Sequence, residues 1–330
     1  MRTVLILAVA SAISLFLLAA NDAAEETTAR PYRIAVAVYN SNTEYMREWI
    51  HHAKKHPMVE SDEIRLTFYN GGGNHSRLDE QFSAIVSHYY DALVIVANDM
   101  TLSTKLIHEV SRAGIPVIAS CSPVATDEIA GFIGHDDFEA GYRSGLAIAE
   151  AVGGKGNLAI LEGPSEQGAT LYRRLGIAKA LEEFPEVKAV HRRAANWSMG
   201  EATRLTLNWL ALPQDIDGIV AHNDEMALGA IRALKSEGGK MIPVTGINGI
   251  QEALHAVETG DMYQTMRQDS EFQAQGAIDM ALGRIVGEEY EPLSKGWKEY
   301  TETGWLGGEK RDIVIPWRVA VSGKEMALGR

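Results

Sequence analysis

From Arg33 onward the chain alternates between two patterns. A short run rich in Val, Ile and Ala is followed by a polar turn, then by a stretch whose apolar residues recur three and four apart. The runs predict strands at 33–38, 64–69, 92–97, 115–119, 157–161, 187–192, 218–222, 241–247 and 262–266. The intervening segments predict helices, among them 101–113, 138–152, 168–184, 200–210 and 225–236. Gly114 and Gly153 fall just past two of these helices, and Pro116 and Pro185 follow helical stretches closely. Asn223-Asp224-Glu225 places a capping residue and two acids at a helix start, where free N–H groups and the helix dipole favour them. Strands alternating with helices imply right-handed βαβ units and parallel sheets. About nine strands exceed what one compact sheet holds, which predicts two α/β domains.

Ligands of doubly wound sheets bind outside the carboxyl ends of the strands. Here those ends carry residues 39–45, Asn98-Asp99, Ser120–Ser122, Glu162–Arg173, Asn196-Trp197, Asn223-Asp224, Asn248 and Gln268. The set is rich in amides, hydroxyls and aromatic rings, and poor in histidine and paired carboxylates. Planar donors and acceptors beside flat apolar faces suit neutral polyhydroxy molecules.

Charge and composition narrow the classes. The chain of 330 residues has 46% hydrophobic and 23% charged residues and a formal net charge of −13, with no basic cluster, which argues against nucleic acid as a partner. Met1-Arg2, an apolar run from Thr3 to Ala20 and a polar stretch after it have the parts of a secretory signal, expected over 1–24. An uncleaved anchor is the alternative. Cys121 is the single cysteine, so an internal disulfide and a multi-cysteine zinc site are excluded. At the end of a predicted strand, in IASCSP (118–123), it invites a nucleophile reading, but no local signature pairs it with a histidine.

Other candidates for chemistry are weak. The glycine-rich stretch 71–77 lacks both the Lys-Ser/Thr pair of a P-loop and dinucleotide-site spacing, so it reads as a turn, as does 153–156. His51, His52 and His56 fall on one predicted helix; without a further ligand they read as a solvated basic face. No G-x-S-x-G elbow is present. Ser198 and Glu201 form a capping-box pair, Trp209 reads as core, and Trp197, in the loop before that helix, as a ligand contact.

The stretch AHNDEMALGAIRAL (221–234), with IPVI (115–118), GGKGNLAILEGP (153–164), the run from Arg173 to Ile177 and VTGINGIQEAL (244–254), resembles the ribose-binding-protein branch of periplasmic sugar-binding proteins. These are the type 1 solute-binding components of ABC importers. Sugar-responsive repressors share the pattern but begin with a DNA-binding helix-turn-helix. The AANWS…LNWL stretch (194–210) is similar to branch members that take up inositol and other polyols. The resemblance implies two Rossmann-like doubly wound parallel-sheet lobes joined by a three-strand hinge. One lobe would be 31–135 plus 267–297 and the other 136–266 plus 298–330. It also implies a monomer without cofactor or catalytic residue, located in the periplasm and delivering a small sugar or polyol to a membrane permease. Tyr39, Asn42, Tyr45 and Met46 would form one wall, with Trp197 as stacking ring and Arg173, Asn223 and Gln268 as hydroxyl ligands.

Two positions depart from the pattern. Cys121-Ser122 stands where pentose and hexose binders carry an acid or amide followed by arginine, and Asn248 where they carry aspartate. Both changes remove acceptors for strong charge-assisted bonds. A buried Arg173 then needs a partner, with Glu162 and Glu166 as candidates. Failing these, the ligand itself would be anionic. A sensory role, with the loaded protein docking on a receptor, is the other alternative. In the tail, IVIPWRV (313–319) predicts a strand near the hinge, with Trp317 packed against it; the segment 288–311 has no assigned place.

Overall fold

The structure, a computed structural model, describes residues 30–72, 80, 84–97, 102–238, 241–305, 312–322 and 327–328. The expected export signal, most of the glycine-rich stretch 71–77 and Asn98-Asp99 lie outside them. Among the described residues no helix is long and apolar enough to cross a membrane.

Two sheets carry the chain. The first contains β1 (Tyr32–Val38), β2 (Ile64–Asn70), β3 (Ala92–Val96), β4 (Val117–Cys121), β5 (Gly131–Gly134) and β11 (Asp312–Val314), in the spatial order β2-β1-β3-β4-β5-β11. The second contains β6 (Lys155–Glu162), β7 (Glu186–Ala194), β8 (Gly218–Ala221), β9 (Val244–Asn248), β10 (Gln264–Arg267), β12 (Arg318–Val321) and β13 (Ala327–Leu328), in the order β7-β6-β8-β9-β10-β12-β13. Pairing is parallel except at β10/β12 and β12/β13. Each lobe thus repeats one doubly wound order, whose reversal lies between β1 and β3 in the first and between β6 and β8 in the second.

Burial explains the strand sequences. β3, β4, β8 and β9 are buried along their whole length, because helices cover both sheet faces. In the first lobe α1 (Glu44–Lys54) and α9 (Ser270–Val286) pack on each other, and α9 lies on β3, β4 and β5. In the second, α4 (Asp137–Ala151) covers β8, β9 and β10, and α7 (Asp224–Ser236) covers β8 and β9. Helix α5 (Gly168–Leu181) packs along α4 at backbone distance. A Cβ on Gly141 would stand 2.1 Å from the Arg173 carbonyl oxygen, and one on Gly176 would stand 2.1 Å from that of Phe138.

The chain crosses between lobes three times, after β5, after β10 and after β11. The expected boundary at 297/298 is therefore displaced, because β11 completes the first sheet beside β5 and the third crossing comes only at 315–317. IVIPWRV is not one strand: Pro316 separates β11 from β12, and these belong to different sheets. The strand GFIG (131–134), too short to register as an apolar run, was not expected either.

The unassigned segment 288–305 packs on α9 and is held by one carboxylate. Asp279, fully buried, receives six donors: His56 Nε2 at 3.1 Å, the Tyr290 hydroxyl at 2.5 Å, the Leu293 and Ser294 backbone N–H groups at 3.0 Å, the Ser294 hydroxyl, and Trp297 Nε1 at 2.8 Å. The basic helix face expected at 51–56 is corrected by the same contact. α1 ends at Lys54, and His56 caps the short α2 (Pro57–Glu60), with its Nδ1 accepting from the Met58 N–H. That leaves Nε2–H to donate to Asp279.

The hinge has its own pin. His135, in the first crossing, accepts at Nε2 from the Asp269 N–H of the second at 3.0 Å, and its ring lies 4.4 Å from that of Trp317 in the third. The Trp317 Nε1–H donates to the Asp136 carbonyl at 2.8 Å. Burial, aided by Arg173 and Arg318, pushes the His135 pKa down to about 3. Unfolding frees the imidazole to take up a proton near pH 6.5, while the folded state refuses it until about pH 3. Stability from this residue is therefore complete at neutral pH and falls as the pH drops from 6.5 toward 3. Urea unfolding at pH 7, 5 and 4 is expected to show that loss. The slope should flatten in His135→Gln, whose side-chain carbonyl can still accept from Asp269.

Candidate functional site

The strand tips of the two sheets face each other across a cleft. From the first lobe come Tyr39, Asn40, Thr43, Tyr45, Met46, Val96, Ala97, Cys121 and Ser122, all at the ends of β1, β3 and β4 or the start of α1. From the second come Gln167, Ala169, Arg173, Trp197, Asn223 and Asn248, with Gln268 on the second crossing. Ten of the eleven residues expected from sequence line this cleft. The exception, Asn42, points to solvent, because its N–H donates to the Asn40 carboxamide at 3.0 Å and that turn brings Asn40 inward instead. Asn40 and Gln167 lay in the strand-end set without being singled out, and Thr43 is there as the side-chain cap of α1.

The walls are locally strained. Cys121 has φ 67°, Trp197 φ 61° and Asn248 φ 137°, and Asn196 beside the cleft has φ 51°. Only Asp62 and Tyr89 among the other described non-glycine residues have positive φ. Strain of this kind persists where surrounding structure over-determines a functional geometry. At Cys121 it closes a γ-turn, with the Ser122 N–H donating to the Ser120 carbonyl at 2.8 Å. At Trp197 it swings the indole over Gly163, where a Cβ would stand 2.1 Å from the ring. The indole N–H donates to the Gln167 side-chain carbonyl at 2.6 Å. Ser198 caps the following helix as expected, α6 (Met199–Leu210), but the Glu201 carboxylate takes the Asn196 amide instead of closing the box.

Arg173 has a partner that the sequence reading did not name. Its Nε donates to Asp137 at 2.9 Å, its Nη1 donates to the His222 carbonyl, and its guanidinium lies 5.7 Å from the centre of the Trp197 ring. Glu162 is taken by Arg174 in a fork at 2.8 and 2.9 Å. The glycine contacts between α4 and α5 bring Asp137, first residue of α4, against Arg173. No periodicity marks such a pair. Burial raises the Asp137 pKa despite the guanidinium, and lowers that of His222 well below the usual imidazole range, with Arg173 adding to the effect.

The floor is a buried polar cluster. The Tyr45 hydroxyl donates to the Gln273 side-chain carbonyl, which also accepts from the Cys121 thiol at 3.4 Å. Trp49 Nε1 donates to Ser120 Oγ at 3.3 Å, and that hydroxyl donates to the Gln273 backbone carbonyl at 3.2 Å. Burial pushes the Cys121 thiol up to about 12, so it is protonated at neutral pH. Among the described residues no cluster of His, Cys, Asp or Glu could hold a metal ion.

The model of a periplasmic binding protein domain matches residues 34–289. The xylitol-binding protein of Mycolicibacterium smegmatis is 30% identical over 287 residues, covering 86% of this chain and 80% of that protein. A solute-binding protein of an ABC transporter from Bacillus halodurans, solved with myo-inositol bound, superposes with a TM-score of 0.78 at 25% identity. The superposition covers 90% of this chain and 96% of that one. A relative from Actinobacillus succinogenes, solved with D-allose bound, reaches a TM-score of 0.73 at 27% identity over 88% of this chain and 98% of its own.

Proposed function

The chain belongs to the periplasmic binding protein family, and from that premise we propose that it captures one small neutral polyhydroxy solute, a sugar or polyol, and delivers it to the permease of an ABC importer. The observation that carries this reading is the Arg173–Asp137 pair. The one buried guanidinium lining the cleft is neutralised from within the protein, so the ligand need not bring a negative charge. The anionic-ligand alternative rested on Arg173 lacking such a partner, and it is set aside. The Trp197 face offers a platform for C–H surfaces, and Asn223, Asn248, Gln167 and Gln268 supply amides for hydroxyls. Xylitol, myo-inositol and allose, bound by its relatives, belong to that class.

The setting follows from the same reading. The protein works in the periplasm as a monomer, reached through the apolar segment at 3–20, without nucleic acid, cofactor or turnover. Closure of the lobes desolvates the solute and creates the surface that the permease recognises, so ligand binding acts by shifting the population toward the closed form.

Thermal-shift measurements over xylitol, myo-inositol, allose and the corresponding sugar acids test the ligand class. Stabilisation by one or more neutral polyols is expected. Stabilisation by sugar acids alone, or consumption of any of these compounds by the purified protein, would overturn the reading.

A further inference from the structure

The trio Asn223-Asp224-Glu225 does more than start a helix. Asn223 caps α7 and accepts from the Met226 N–H at 3.0 Å. Asp224 turns inward, accepting from the Gly249 and Ile250 N–H groups at 2.6 and 3.0 Å and from the Thr265 hydroxyl at 2.6 Å, so it braces the second lobe. Glu225 turns the other way. One of its carboxylate oxygens accepts from the Asn223 amide at 2.7 Å, and the other accepts across the cleft from the backbone N–H of Glu44 at 2.8 Å.

Glu44 is the first residue of α1, so its N–H has no partner within its own helix. The carboxylate that satisfies it lies 181 residues away, in the opposite lobe, and is buried, while Glu44 itself is half-buried. The pairing places a negative group at the positive end of the α1 dipole, and such charge-assisted bonds are among the stronger ones. Glu225 does not line the cleft, whereas Asn223, to which it is bonded, does.

We propose that Glu225 is a positioning residue that latches the lobes shut. It takes the free N-terminal N–H of α1 when the cleft closes, and so sets solute affinity without touching the solute. The inference rests on the cleft being the solute site. A solute hydroxyl that engages Asn223 meets a side chain already braced by the latch, so the two contacts support the same closed geometry. Opening returns both the carboxylate and the N–H to water.

Each partner can be removed separately. Glu225→Ala deletes the acceptor. Glu44→Pro deletes the donor, since proline is favoured at the first helical position, and Thr43, at φ −76° and ψ 151°, already has the conformation a residue before proline adopts. It also removes the Glu44 carboxylate, whose charge acts on Glu225, so Glu44→Gln, which keeps the N–H, serves as its reference. Lobe separation is read in the ligand-free protein from spin labels at Arg112→Cys and Lys188→Cys, two exposed sites in opposite lobes, while the buried Cys121 stays unlabelled. Affinity and dissociation rate are read with xylitol and myo-inositol.

Each single variant is expected to shift the ligand-free distances toward the open form and to weaken binding about tenfold, mainly through faster dissociation. The double variant should be no weaker than either single one. Unchanged distances and affinities in the singles, or losses that simply add in the double, would overturn the latch. The distance measurement needs no ligand. A wild type that binds neither probe would therefore count against the solute reading alone, and the latch would be judged by the distances.

Discussion

Asp137→Ala is expected to cost more stability than Arg173→Met, although both break one ion pair. The pair is buried on both sides. Removing Asp137 leaves a guanidinium that cannot lose its proton, held beside the Trp197 ring and the His222 carbonyl with no counter-charge. Breaking a buried pair in this way costs about 3–5 kcal/mol. Removing Arg173 leaves a carboxyl that burial already favours in its neutral form, so Asp137 can take up a proton and shed much of the penalty. The order should reverse for binding. Arg173→Met removes a donor from the cleft wall itself and should weaken a polyol by about 10–150-fold, the range of a hydrogen bond to a charged group. Denaturant unfolding gives the first ranking and calorimetric titration the second. Equal losses of stability would show that the guanidinium finds another acceptor.

Asp279→Ala is expected to lower stability by about 3–5 kcal/mol while leaving solute affinity, measured well below the melting temperature, within about threefold of wild type. All six donors on Asp279 come from the 288–297 segment or from His56, and none lines the cleft. The variant should release 288–305 from α9 without moving the strand tips. Limited proteolysis would then cut within 288–305 in the variant before it cuts wild type. A variant as stable as wild type would mean that the aromatic packing of Phe272, Trp297, Tyr300 and Trp305 holds the segment alone.

Tyr39, Cys121, Trp197, Asn223 and Gln268 could be read as cleft residues because strand ends are visible in a linear pattern, and parallel sheets place ligands at those ends. Asn42 lies outside the cleft because an Asx turn decides which of two neighbouring asparagines faces inward, and such a turn leaves no periodic trace. His56 leaves the basic face because α1 stops two residues before it, which changes the face its side chain joins.

What the sequence determined by itself is therefore the alternation of strand and helix, the doubly wound class and the strand-end chemistry, since each depends on contacts local in the chain. Only the tertiary structure decided the partners of buried charge: Asp137 for Arg173, His56 for Asp279, and the α1 N-terminus for Glu225. The physical reason is the same in each case. Buried charges must be paired, but the pairing is made by whichever residue the packing brings near, and separations of 36, 223 and 181 residues carry no local pattern.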